Sequence, residues 1–113
     1  MCPYYNSVIT NKPETFAKQI CEGLGILKHL DICIGGRNAF PHKPDKLSAE
    51  YIINNYAEER TPILVGDSLV DMETARNACI MFCFASYGYE NSHIKKQITS
   101  DFTIKKFTEI NNL

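Results

Sequence analysis

Four side chains with the chemistry to act on a charged ligand fall at three places in this sequence: Thr10, Lys43, and the pair Asp67 and Asp71. Thr10 closes a short apolar run and is followed at once by Asn11-Lys12-Pro13, a helix start. There a hydroxyl and free backbone amides point the same way, and the helix dipole favours an anion. A plain helix start, with proline in its first turn, accounts for the same residues. Lys43 stands in His42-Lys43-Pro44. The proline keeps it out of helical geometry, and its ammonium is a compact charge suited to phosphate, or simply to solvent. Gly66-Asp67-Ser68-Leu69-Val70-Asp71 sets Asp67 at the mouth of an apolar run, with Asp71 one helical turn further on the same side. Two carboxylates there suit a hard, oxygen-seeking cation such as magnesium. Ser68 and Asp71 also form a Ser-x-x-Asp capping pattern, which explains Asp71 and leaves Asp67 unexplained. Taken in chain order, the three places assemble an anion pocket beside a cation pocket, an arrangement for phosphoryl transfer.

The elements that position these residues alternate. Residues 7–10 read as the end of a strand and 13–23 as a helix, stopped by Gly23 and Gly25, with Phe16, Ile20 and Leu24 as its apolar stripe. A second strand over 31–34 ends at Gly35-Gly36. A helix over 47–56 turns Leu47, Tyr51 and Ile52 inward. Residues 62–65 form a continuous apolar strand, the pattern of one buried on both faces. A helix over 69–78, a strand over 80–84 and a short strand over 101–104 complete the chain. Such units predict an α/β fold, mainly parallel, with helices on both faces of the sheet, in three layers. Ligands of such sheets sit at the carboxyl ends of the strands, where Thr10, Lys43 and Asp67 all fall.

The length, 113 residues and 12.8 kDa, argues for a single domain spanning 1–113. With 12 basic and 13 acidic residues the net charge is −1, so there is no basic excess for a nucleic acid or a membrane surface. No apolar run approaches a membrane span, and residues 1–10 have no secretory pattern. The five cysteines, at 2, 21, 33, 79 and 83, are odd in number. Without an export signal they read as reduced, buried, inert thiols in the cytoplasm. Cys79 and Cys83 with His93 make too loose a set for zinc.

At these residues the sequence resembles the haloacid dehalogenase superfamily, and within it the phosphoglycolate-phosphatase-like members. Val8-Ile9-Thr10-Asn11-Lys12 is similar to the family's second motif, His42-Lys43-Pro44-Asp45 to its third, and Ile63-Leu64-Val65-Gly66-Asp67-Ser68-Leu69-Val70-Asp71 to its fourth. Gly23-Leu24-Gly25-Ile26, Gly35-Gly36 and Gly88-Tyr89 are also family-like. The resemblance implies a Rossmann-like core and hydrolysis of a phosphate monoester on a small molecule with Mg2+. Thr10, with Asn11, would hold the phosphoryl group and Lys43 would neutralise it. Asp67 would bind the metal and Asp71 support it, while Gly88 and Tyr89 would only shape a loop.

The family's first motif, Asp-x-Asp, which carries the nucleophile and the general acid, does not occur. The aspartates are 31, 45, 67, 71 and 101, and none has another two residues on. The small cap domain between the first and second motifs is also absent, so the Rossmann-like core is expected to be incomplete. Three readings follow: part of a phosphatase whose remaining half is another polypeptide, a degenerate non-catalytic domain, or an unrelated receiver-like module. The last leaves the placing of Thr10 and Lys43 unexplained. In the family fold the first strand lies between those of the second and fourth motifs. Its absence predicts a homo-oligomer, or direct pairing of the strand around Val8 with that around Val65.

Overall fold

The structure, a computed structural model, describes residues 5–36, 40–57, 60–88, 90–106 and 108–109. The chain divides into two compact units, Met1–Arg60 and Thr61–Leu113. The fold is mixed α/β, with parallel strands in two sheets.

In the first unit β1 (Ser7–Ile9) pairs in parallel with β2 (Ile32–Ile34), and Val8 lies opposite Cys33. Asp31 fixes the entry to this pairing: its carboxylate accepts from Asn6 N at 2.7 Å, and its own N–H donates to Asn6 O at 2.7 Å. Helix α1 (Glu14–Gly23) follows Pro13, whose φ of −51° suits a helix start. The chain leaves α1 through Gly25 at φ 74°, with Ile26 N donating to Cys21 O at 2.9 Å and Gly25 N to Glu22 O at 3.0 Å. This left-handed exit favours glycine. The helix is the expected one, but its inward face is not. Ala17 and Cys21 are buried, whereas Phe16 and Leu24 are 59% and 69% exposed and Ile20 is also exposed. Small side chains let α1 lie close to β2, and the bulky stripe turns outward.

The expected second helix is α2 (Leu47–Ile52) continued by a π-helical stretch, Ile53–Ala57. Widening to an i→i+5 repeat brings side chains five apart into line, and Tyr51 meets Tyr56 edge-on at 6.2 Å. Tyr5 stacks on Tyr56 at 4.8 Å, and the Arg60 guanidinium lies 5.7 Å from the Tyr5 ring. Here too the expected inward face is corrected. Leu47 and Tyr51 are exposed and Ile52 is half-buried, while Ser48 and Ala49 are buried.

In the second unit β3 (Ile63–Gly66), β4 (Met81–Ala85) and β5 (Phe102–Ile104) form a parallel sheet in that order. Strand β4, paired on both sides, is the one buried on both faces. Phe82 and Phe84 pack with Met72 and Ala75 of α3 (Leu69–Asn77), and Cys83 and Ala85 pack with Ile104. Strand β3 does not have the expected two-sided burial: Val65 is 36% exposed and its neighbours are half-buried. The reason is its place at the end of its sheet. Among the described residues the expected direct pairing of the strands around Val8 and Val65 is not found: Val8 is opposite Cys33 and Val65 opposite Cys83, in separate sheets. A short helix, α4 (Ser92–Lys95), capped by Asn91, was not expected from the sequence. Helix α3 exits through Cys79 at φ 58°, with Ile80 N donating to Ala75 O at 3.0 Å. That is the same left-handed exit as in α1, taken by a residue that carries a Cβ.

Candidate functional site

The first unit brings Thr10, Asn11 and Lys43 together. The end of β1, the end of β2 and the segment before α2 supply one loop each. Thr10 N donates to Ile34 O at 3.0 Å, continuing the β1–β2 ladder one residue beyond the strands. Its hydroxyl oxygen accepts from Lys12 N at 3.1 Å, turning the chain toward α1. The Asn11 side chain spans to the lysine: Lys43 N donates to Asn11 Oδ1 at 2.8 Å, and Asn11 Nδ2 donates to Lys43 O at 3.1 Å. The Gly35-Gly36 turn lies between them. Gly36 N donates to Lys12 O at 2.7 Å, and Gly36 O is 2.6 Å from His42 Nε2. A Cβ on Gly36 would overlap the Asn11 carbonyl, and one on Gly35 would overlap the Glu14 backbone. The glycine pair is therefore required by the close approach of the loop after β1. Glu14 also accepts from Gly35 N at 3.4 Å.

The second unit brings Asp67 and Asp71 together at the end of β3. Ser68 caps α3, its hydroxyl accepting from Asp71 N at 3.2 Å. That is half of the capping pattern seen in the sequence. The reciprocal half is shifted by one residue: Asp71 Oδ2 accepts from Asp67 N at 3.2 Å. Asp71 is buried and folds back beneath the strand end, into space that a Cβ on Gly66 would fill. Asp67 is half-buried, and its carboxylate lies against Gly88, where a Cβ would overlap it. Sequence reasoning gave Gly88 only a loop-shaping part; its place one turn after β4 was the available signal. It also missed Glu90, whose Oε2 accepts from Leu69 N at 3.4 Å at the start of α3. Tyr89 lies outside the described residues.

Asp67 fits a magnesium ligand, a hard carboxylate at a strand mouth, whereas Asp71 is turned to bracing the Asp67 backbone. Among the described residues no three His, Cys, Asp or Glu side chains converge to hold a metal.

Among the thiols, Cys21, Cys33 and Cys83 are buried as expected, and burial raises the pKa of Cys33 and Cys83. Cys79 is exposed, contrary to expectation, because it stands at the helix exit. Cys2 lies outside the described residues. No helix among the described residues is long and apolar enough to cross a membrane.

Residues 3–85 match the model of the haloacid dehalogenase-like hydrolase family. A phosphoglycolate phosphatase of Rhodospirillum rubrum is 33% identical over 88 residues, covering 77% of this chain and 36% of that protein. One from Vibrio parahaemolyticus is 30% identical over 106 residues, covering 92% of this chain and 46% of that protein. The crystal structure of a predicted phosphoglycolate phosphatase from Haemophilus somnus superposes with a TM-score of 0.85 at 26% identity, covering 96% of this chain and 49% of that one. This chain thus spans less than half the length of these relatives. With the family model matched across most of its residues and the parallel α/β fold shared with the solved relative, the chain belongs to the haloacid dehalogenase-like hydrolases, and among them it resembles the phosphoglycolate phosphatases.

Proposed function

We propose that this chain carries the phosphate-binding and magnesium-binding parts of a cytoplasmic phosphatase acting on a small phosphate monoester of the phosphoglycolate kind. Thr10 and the amides at the start of α1 hold the phosphoryl oxygens, and Lys43 offsets their charge. Asp67 holds the cation and Asp71 positions Asp67. Magnesium bound there would supply a Lewis acid of the kind phosphoryl transfer uses. The observation that most supports this reading is the lacing of Lys43 to the loop after β1 through both its N–H and its C=O.

These 113 residues do not turn over phosphate esters by themselves. Covalent phosphoryl transfer needs a positioned nucleophile and a proton donor for the leaving oxygen, and no Asp-x-Asp occurs among them. A segment that carries this motif would complete the site, and by themselves these 113 residues self-associate through their strand edges. The same lack favours a second reading, a non-catalytic domain that retains the anion site.

Calorimetric titration with inorganic phosphate and with magnesium tests the binding. Lys43→Ala should weaken phosphate by about 10- to 100-fold, the worth of a charge-assisted contact. Asp67→Asn should abolish magnesium binding. Unchanged affinities in both variants would sink the reading. Hydrolysis of an aryl phosphate should stay at the buffer rate and rise when a polypeptide with Asp-x-Asp is added; no rise favours the non-catalytic domain. Turnover near 1 s⁻¹, roughly the low end of ordinary enzymes, that vanished in Asp67→Asn would overturn the expected inactivity. Light scattering should show an oligomer; a monodisperse monomer would refute self-association.

A further inference from the structure

Asn11 stands beside Thr10 and, on residue type, reads as one more phosphate ligand. The geometry of its side chain gives it a further part. The side-chain amide faces the Lys43 peptide as a second peptide would, accepting from Lys43 N at 2.8 Å and donating to Lys43 O at 3.1 Å. The Oδ1 acceptor and one Nδ2–H are therefore engaged with main chain. A two-point bond fixes both the position and the direction of the Lys43 backbone, which a single bond would not. The adjacent residue is braced from the same loop by another route: His42 Nε2 meets Gly36 O at 2.6 Å, and Gly36 N donates to Lys12 O at 2.7 Å. The segment from Thr10 to Lys12 thus holds residues 42 and 43 from two sides, across a long stretch of sequence.

We infer that Asn11 is a positioning residue that acts on phosphate through Lys43, setting where the lysine's stem begins relative to the Thr10 hydroxyl. The inference rests on the phosphate-binding reading above. Lysine has four rotatable side-chain carbons and strong hydration, so the place of its ammonium depends on how firmly its backbone is held. Loss of the clamp lets the 42–44 segment drift and dilutes the conformer in which the charge meets the anion.

A double-mutant cycle on the full chain, read by calorimetry with inorganic phosphate, separates this from direct ligation. Asn11→Ala should weaken phosphate about 5- to 10-fold in the wild-type background, on the scale of one to two lost hydrogen bonds. In a Lys43→Ala background the same change should have almost no effect. Equal losses in both backgrounds would make Asn11 a direct ligand and overturn the inference, and so would no loss in either. Hydrogen exchange tests the clamp without phosphate. The Lys43 amide of the wild-type protein should exchange at least about ten-fold slower than in an unstructured peptide, and Asn11→Ala should remove that protection while β4 amides keep theirs. Exchange of wild-type Lys43 at the peptide rate overturns the clamp even if the variant does not fold. A protected Lys43 amide in a protein that binds no phosphate would instead remove the phosphate reading, and Asn11's part in it, while leaving the hydrogen bonds in place.

Discussion

In the second unit Phe82, Phe84 and Met72 close over Ala75, and Cys83 and Ala85 close over Ile104 on the other face of β4. Among the described residues of the first unit the buried apolar side chains are Ala17, Cys21, Cys33, Ile34 and Ala49, mostly small. Six large ones, Phe16, Ile20, Leu24, Ile26, Leu47 and Tyr51, are exposed. Burial of apolar area is the main favourable term in folding, so the second unit draws its stability from a core. The first depends more on the hydrogen bonds lacing its loops and on the tyrosine cluster. Each candidate centre follows its unit. Asp67 is placed by a capped helix and a strand of a three-stranded sheet. Thr10 and Lys43 are placed by side chains and glycines that tie loop to loop.

The largest expected difference is in core truncation. Phe82→Ala should cost about 3–5 kcal/mol, whereas Phe16→Ala should stay within about 0.5 kcal/mol, both read by urea unfolding. Equal losses would show that the outward face of α1 is covered and would break the contrast. Next come the crowded glycines. Gly35→Ala places a methyl group on the Glu14 backbone and should cost about 1–3 kcal/mol. Gly88→Ala meets the Asp67 side chain instead, so it should show as weakened magnesium binding with a smaller loss of stability.

Two substitutions should stabilise, one in each unit. The Ser48 hydroxyl is buried with no hydrogen-bond partner among the described residues, and Ser48→Ala should gain about 1 kcal/mol by removing it. Cys79→Gly should gain up to about 1 kcal/mol by relieving a left-handed position. Each is a rise of about 4 °C in Tm for a domain of this size. A fall in Tm for Ser48→Ala would mean that the hydroxyl has a partner.

The smallest effect is in thiol labelling on a Cys2→Ser background. Cys79 should react first, Cys21 and Cys33 next, and Cys83 last, since Cys83 is fully buried in the cored unit. Burial raises the Cys33 and Cys83 pKa, so each contributes stability below the ordinary thiol range. That contribution is lost as pH rises through this range toward the folded value, because the unfolded chain deprotonates first. Cys33 and Cys83 reacting at one rate would mean that the two units open together.

Strand and helix placement was legible because it follows from local periodicity and turn residues. The strands ending near Thr10, Ile34, Gly66 and Ile104 fall within a residue of their expected ends. The capping of α3 by Ser68 was legible because a Ser-x-x-Asp cap is a contact over three residues. Which stripe of α1 faces the sheet was not legible. Ala17 and Cys21 lie next to Phe16 and Ile20 around the helix, and hydrophobic spacing does not say whether close approach or bulk decides the docking. That Asn11 meets Lys43, that Asp71 braces Asp67, and that Gly88 makes room for a carboxylate were decided by the tertiary structure. The Asn11 and Gly88 contacts join residues more than 20 positions apart, and the Asp71 brace was shifted one residue by the turn at the strand end. The sequence by itself determined the residue types that can meet a phosphate and a cation. Only the folded chain decided which of their hydrogen-bonding groups are engaged within the chain, the Asn11 amide by the Lys43 peptide and an Asp71 oxygen by Asp67 N, because those partners meet through the turns at the strand ends.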